Sequence, residues 1–230
     1  MKLHDGVEVI SISTEGLWAF DKPSGVLSHP NGLGDQDKSL IEAPYDFDEE
    51  AYVTEDGLFY LLHRLDGPTS GVILGTPHAA LAREVKELMR ARKVKKTYMA
   101  IVAGQPKKDR EMWIDKLQKA KTKDGRGVRA EVVGGGAPAE TQMYLLKKFG
   151  KPLSSSLLRL HPLTGRTHQL RIQCARRGMP IIGDGTYGDF QMNRDLKAKT
   201  LLLHAQKIEI PTLNYMAECE VPKEFNKWGK

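Results

Sequence analysis

The apolar stretch Leu58-Phe59-Tyr60-Leu61-Leu62 runs into a Gly67-Pro68 turn and out again into the β-branched run Val72-Ile73-Leu74. Both flanks have strand composition and the centre has turn composition, so residues 58–74 predict strand, loop and strand. The loop is contained in His63-Arg64-Leu65-Asp66-Gly67-Pro68-Thr69-Ser70-Gly71, which sets a single acid between an arginine and the Gly-Pro pair. A carboxylate on a tight turn between two strands has the placement of a presented nucleophile. On composition and spacing alone, it is also compatible with an aspartate that merely caps its loop.

The same alternation of short strands and turns recurs along the chain. Val7 to Ile12 and Leu17 to Asp21 are strand-like, with turn chemistry at Lys22-Pro23-Ser24-Gly25 and His29-Pro30-Asn31-Gly32. A helix is expected from Thr76, as its cap, through Pro77 at the first helical position to about Arg92, with Leu81, Val85, Leu88 and Met89 at helical spacing as core. Tyr98 to Ala103 reads as a strand ended by Gly104-Gln105-Pro106, and Ala139 to Leu146 and Ser155 to Leu160 read as two more. A second helix is expected over Thr167 to Arg177, stopped by Gly178. There is no internal repeat and no convincing linker, so residues 1–230 are expected to form one domain.

With 40% apolar residues and a mean hydropathy of -0.43, the composition suits a soluble globular protein. No apolar run approaches the roughly 18 residues of a membrane span, and Met1-Lys2-Leu3-His4-Asp5 lacks a signal-peptide core, so a cytoplasmic protein with no membrane partner is expected. Cys174 and Cys219 have neither metal-like nor disulfide-like spacing and are expected as small buried residues, with no metal.

Charge is segregated. Residues 35–56 hold nine acids against Lys38 alone, a net of -8, which leaves +14 on the rest of a chain whose total is +6. A basic body of that kind suits a polyanion such as RNA or DNA, although a merely basic, well-solvated surface has the same signature. Residues 107–129 carry nine bases, four acids and Trp113, compatible with a flexible RNA-contacting arm or a solvated hairpin.

In Leu160-His161-Pro162-Leu163-Thr164-Gly165-Arg166-Thr167-His168-Gln169-Leu170-Arg171, a helix start at Thr167 offers backbone N–H groups to an anion, and Arg166, His168 and Arg171 add donors. For Arg171 a surface ion pair of little energetic weight is the alternative. A third segment, Pro180 to Asp189, reads by itself only as a strand and loop.

These blocks together resemble the RluA-type pseudouridine synthases. The motifs His63-Arg64-Leu65-Asp66 with Thr69-Ser70-Gly71, Lys96-x-Tyr98-x-Ala100, Thr164 to Arg171 and Pro180 to Gly188 stand in that family's order, and Lys22-Pro23-Ser24-Gly25 and Leu201 to Ala205 are also family-like. The similarity covers roughly residues 16–222. It implies an α+β fold, a long, mostly antiparallel mixed sheet with flanking helices and a central RNA-binding cleft. It also implies Asp66 as the essential carboxylate, Tyr98 as the active-site aromatic and Arg171 as the basic partner of that acid. Arg64 matches the arginine that displaces the target nucleotide, and His63, Thr69, Arg166 and His168 join it as substrate-binding residues.

The chemistry the resemblance implies needs no cofactor. Uridine becomes pseudouridine when the C1′–N1 bond breaks, the uracil turns and C1′ joins C5, with no redox change. An ionised carboxylate can attack the sugar or stabilise charge there, as glycosidase carboxylates do, and a nearby arginine favours its charged form. A tyrosine can stack on the uracil. Because the reacting atoms are buried in stacked or paired RNA, the nucleotide must be flipped out, and an arginine can fill the space left. Whether the acid attacks C1′, attacks the base or promotes a glycal-like route is left open by the residues.

Larger relatives carry an N-terminal S4-like module; only about 15 residues precede the family-like region here, and no such module is expected. The Gly188 to Arg194 stretch is similar to the compact, tRNA-directed TruC branch, while the short chain also suits RluA itself, which acts on rRNA and tRNA. The expectation is a monomeric isomerase acting on tRNA or rRNA, with tRNA favoured. Gln173-Cys174 stands where relatives often have Val-His. The alternatives are an inactive RNA-binding or ribosome-assembly factor on the same fold, and an N-glycosylase that releases uracil.

Overall fold

The computed structural model describes residues 1–32, 34–121, 128–150 and 153–228, in two compact units. The first unit comprises residues 1–94 and 205–220. Its early strands are β1 (Glu8–Ile12), β2 (Trp18–Lys22), β3 (Tyr45–Asp46), β4 (Ala51–Thr54), β5 (Gly57–Leu61) and β6 (Ser70–Thr76). β6 is buried throughout, as a β-branched run on a central strand should be, and pairs antiparallel with β2 and, at its far end, with β5. β3, β4 and β5 form an antiparallel meander at the edge, so strand, loop and strand stand where residues 58–74 predict them.

Helix α1 spans Ala79–Arg90 and buries Ala82 and Val85 in a core with Leu17, Leu62, Val72 and Leu74; Leu81, Leu88 and Met89 pack against it. Its start differs from the expected one. Thr76 belongs to β6, donates its hydroxyl to Gly16 O and accepts from His78 N, so His78 takes the cap position. Thr76 therefore does not cap α1; its hydroxyl is spent on the turn before the helix.

The second unit comprises residues 95–204 and 221–230. Its strands are β7 (Lys95–Ala103), β8 (Arg110–Lys121), β9 (Val128–Val132), β10 (Ala137–Phe149) and β11 (Ser155–Pro162), hydrogen-bonded antiparallel in the order β7-β11-β10-β8-β9. The basic segment is thus a hairpin over its described residues; 122–127, on which part of the arm expectation fell, lie outside them. Side chains alternate across this sheet. Trp113, Met143, Leu158, Leu160 and Ala100 point to one face, where helix α2 (Gln169–Arg176) packs Leu170 and Cys174 against them. A one-turn helix α3 (Phe190–Asp195) follows, capped by the Asp189 carboxylate accepting from Met192 N. Residues 180–189 form turns and one isolated bridge, Val102 to Ile181, rather than a strand. β12 (Leu203–Ile210) leads back into the first unit and pairs with β13 (Tyr215–Glu218). Among the described residues no helix is long and apolar enough to cross a membrane.

Candidate active site

Asp66 lies in the loop between β5 and β6, in the first unit, with Thr69 N donating to Asp66 O at 2.9 Å to close the turn. The loop is fastened to residues 22–28 at five points. Ser28 Oγ donates to Leu65 O at 2.8 Å and accepts from Leu65 N at 2.9 Å. Gly25 N donates to Gly67 O and Ser24 Oγ to Pro68 O. Lys22 Nζ, with no solvent exposure, donates to Gly67 O at 3.0 Å, Val26 O at 2.6 Å and Pro23 O at 3.1 Å. The Lys22-Pro23-Ser24-Gly25 turn is therefore the bed on which the Asp66 loop rests. Tyr52 stands behind it, its hydroxyl donating to Ser28 O at 2.7 Å.

Burial drives the Lys22 ammonium down to about 7, against the opposing pull of the Asp66 and Asp21 charges. Replacing Lys22 by Met is expected to leave three carbonyls without their donor, to lower stability by about 2 kcal/mol and to depress turnover by freeing Gly67. The sign of the pH effect follows from the lowered value. Between about pH 7 and pH 10.5 the unfolded chain holds a proton that the folded chain has released, so this group makes stability rise with pH across that window. Urea titrations at several pH values should find that rise diminished in Lys22→Met.

Arg64 is exposed, and its Nη1 donates to His29 Nε2 at 3.0 Å. His29 Nδ1 lies 2.7 Å from Pro30 O and must donate there, which leaves Nε2 as the acceptor. Burial and, more weakly, the Arg64 charge hold His29 below its ordinary value, favouring that neutral form. The His29 ring stacks on Tyr45 at 4.9 Å, so the arginine is aimed by a ring that is itself held. His63 Nε2 accepts from Leu74 N, and Thr69 is 2% exposed; within the first unit both brace the loop. Gly71, at φ +114, passes so close to the Ala205 backbone that a Cβ would collide with it, which accounts for the glycine closing the motif.

Tyr98, Arg166, His168 and Arg171 belong to the second unit. Arg171 is 4% exposed, so the alternative of a surface ion pair does not apply: Nε donates to Asp184 Oδ2 at 2.9 Å and Nη2 to Asp184 Oδ1 at 2.8 Å and Thr186 Oγ1 at 3.0 Å. Burial raises the Asp184 carboxyl, but the Arg171 fork and the Thr186 and Tyr187 amides outweigh it and hold the group below the usual carboxylate range. The Arg171 guanidinium also sits 5.3 Å over the Tyr187 ring, and the Tyr187 hydroxyl is 2.9 Å from His168 Nδ1. Two sequence blocks, 164–171 and 180–188, are thereby one structure.

Helix α2 begins later than expected, because His168 takes the left-handed conformation at φ +51 and serves as its cap. The loop before it is organised by Gln169: Oε1 accepts from Thr164 Oγ1 and Arg166 N, and Nε2 donates to Glu140 O and Thr141 Oγ1. Arg166 is exposed, with Nε on Pro138 O. Gln173 and Cys174 are wholly buried; Gln173 ties the helix to Asp115, Ala139 and Thr141. These two residues hold the helix in place. Among the described residues no group of three or more His, Cys, Asp or Glu is arranged to hold a metal.

A family model described as RNA pseudouridylate synthase matches residues 16–176. The chain belongs to this family. It is 33% identical over 207 residues to the tRNA pseudouridine synthase C of Pasteurella multocida, covering 84% of this chain and 81% of that one. It is 34% identical over 202 residues to the ribosomal large subunit pseudouridine synthase D of Borreliella burgdorferi, covering 83% of this chain and 57% of that one. Among solved structures, human RNA pseudouridylate synthase domain containing 1 superposes with a TM-score of 0.72 at 26% identity, covering 96% of this chain and 85% of that one. The protein is an RNA pseudouridine synthase with the α+β fold of its family.

As a pseudouridine synthase it carries supporting residues that sequence reasoning assigned no role: Lys22, His29, Asp184 and Tyr187. All four lie within the sequence blocks named above, and Lys22 and Asp184 stand out there by residue type. A basic residue in a Pro-Gly turn and an acid in an otherwise apolar, glycine-rich segment were the signals that could have singled them out.

Proposed function

We propose that the protein converts a uridine of transfer RNA to pseudouridine, with Asp66 as its catalytic carboxylate. The observation that carries this reading is the Asp66 loop itself, an acid on a turn fastened by Lys22, Ser24, Gly25 and Ser28. A loop so fastened presents its carboxylate from a fixed backbone, which is what a reacting group requires. The carboxylate acts at ribose C1′ as the bond to N1 lengthens and positive charge develops there, covalently or electrostatically. The uracil then turns, C1′ bonds to C5, the C5 proton leaves and N1 takes one up, so atoms balance without a cofactor. Tyr98 offers an aromatic face to the uracil, and Arg171, braced by Asp184, supplies the cationic partner that the resemblance implies.

Arg64 fills the space left by the flipped nucleotide. Arg64→Ala is therefore expected to lower the modification rate about 100-fold while changing RNA affinity only a few-fold, since many phosphate contacts share the binding. Equal losses in rate and affinity make Arg64 a phosphate contact instead.

Transfer RNA is preferred because the Gly188 to Arg194 stretch is similar to the tRNA-directed branch; extent of match does not separate the two substrates, since two relatives named for tRNA are matched over 81% and 53% of their lengths. The deciding experiment incubates the purified protein with unmodified tRNA and, separately, with unmodified large-subunit rRNA. Pseudouridine in tRNA alone supports the assignment; pseudouridine in rRNA alone reverses the substrate, and free uracil would make the protein a glycosylase.

A further inference from the structure

The chain holds two lysines in these motifs, and they are treated differently. Lys22 spends its donors on three carbonyl oxygens and is structural. Lys96, on β7, is half-buried, and its ammonium has no hydrogen-bond or ion-pair partner among the described residues. Only its backbone is engaged, Lys96 O lying 3.2 Å from His161 Nδ1.

Strand alternation puts Lys96 on the same face of β7 as Tyr98, two residues on. The ammonium reaches the Thr164–Gly165 turn: a Cβ added to Gly165 would lie 3.6 Å from Nζ. That turn leads directly to exposed Arg166 and to His168. Lys96 thus stands on the Tyr98 face of β7, beside the turn that precedes Arg166. Burial alone lowers its ammonium, with no carboxylate pulling it back up. A partly desolvated cation without an anion is unfavourable in the free protein and is relieved when an anion arrives.

We propose that Lys96 Nζ, beside the Thr164–Gly165 turn and on the Tyr98 face of β7, binds a phosphate of the RNA backbone. This rests on the reading of the protein as an RNA pseudouridine synthase and adds a contact that positions the strand without reading its sequence.

The test measures binding of unmodified tRNA to the full-length protein across a KCl series, for wild type, Lys96→Met and Lys96→Arg, together with melting temperatures without RNA. For Lys96→Met the affinity is expected to fall roughly tenfold or more, and the plot of log affinity against log salt to become shallower by about 0.7 to 0.9. KM rises more than kcat falls. The melting temperature without RNA is unchanged or higher, because an unpaired, half-buried charge has been removed, and Lys96→Arg recovers most of the affinity. An unchanged affinity and salt slope overturn the proposal. So does weaker binding with an unchanged slope, which marks a base or hydroxyl contact, and so does a lower melting temperature with an unchanged slope, which marks a structural lysine. Failure of the functional reading is separate: it appears as wild-type protein that binds tRNA but forms no pseudouridine.

Discussion

Asp66→Asn is expected to abolish pseudouridine formation, by on the order of 10⁴-fold or more, while leaving the fold and most RNA affinity intact. The exchange keeps size and polarity, and the turn is closed by Asp66 O, a backbone atom that asparagine retains. The fastening of the loop through Leu65, Gly67 and Pro68 does not involve the carboxylate at all. What is lost is a negative charge able to meet developing charge at C1′. Single-turnover conversion of unmodified tRNA checks the rate, circular dichroism and thermal melting check the fold, and filter binding checks the affinity. A folded Asp66→Asn protein with full activity removes Asp66 from the mechanism.

The second large effect concerns the buried pair. Arg171→Ala leaves the Asp184 carboxylate, 2% exposed, without the guanidinium that holds it ionised. Breaking such a pair from one side costs about 3–5 kcal/mol, which at roughly 2–4 °C per kcal/mol for a chain of this length lowers the melting temperature by about 6–20 °C. Asp184→Ala is at least as costly, because it strands Arg171 and also the Thr186 and Tyr187 amides. Arg171→Lys recovers only part, since an ammonium cannot reproduce the two-pronged contact. The sign of the pH dependence follows from the Asp184 carboxyl lying below its ordinary value of 3.8: the contribution is complete above that value and is lost as pH falls through the lower folded one. Acid melting curves of wild type should show this loss and those of Arg171→Ala should not.

Elements whose residues alternate or recur with a clear period were legible in the sequence. Lys95–Ala103, Ser155–Pro162 and the α1 stripe of Leu81, Val85 and Leu88 all stand within a few residues of their expected places. Termini were less legible because a cap is a competition between partners. Thr76 had the chemistry to cap α1, but Gly16 O, sixty residues away, takes its hydroxyl. Thr167 was expected to open α2, yet His168 turns left-handed and delays it.

The site shows the same division. Motif order pointed to Asp66, Arg64, Tyr98 and Arg171 as candidates, since their residue types carry the chemistry. It did not disclose what holds them. Lys22 and Gly67 are 45 residues apart, and Arg64 and His29 are 35 apart, so neither contact has a local pattern to announce it. Arg171 and Asp184 are closer, but residues 180–189 read by themselves only as a strand and loop, whereas the segment after α2 supplies Asp184 and makes the pair a buried one. Gln173 departs from the family-like Val-His and is explained by burial, its amide knitting α2 to β8 and β10.

The most direct test of the central claim is pseudouridine mapping of total RNA from cells lacking the gene, complemented with wild type or with Asp66→Asn. The expected result is one or a few tRNA uridines that lose the modification without the gene, regain it with wild type and do not regain it with Asp66→Asn. Identical maps in all strains, or restoration by the asparagine variant, would contradict the account.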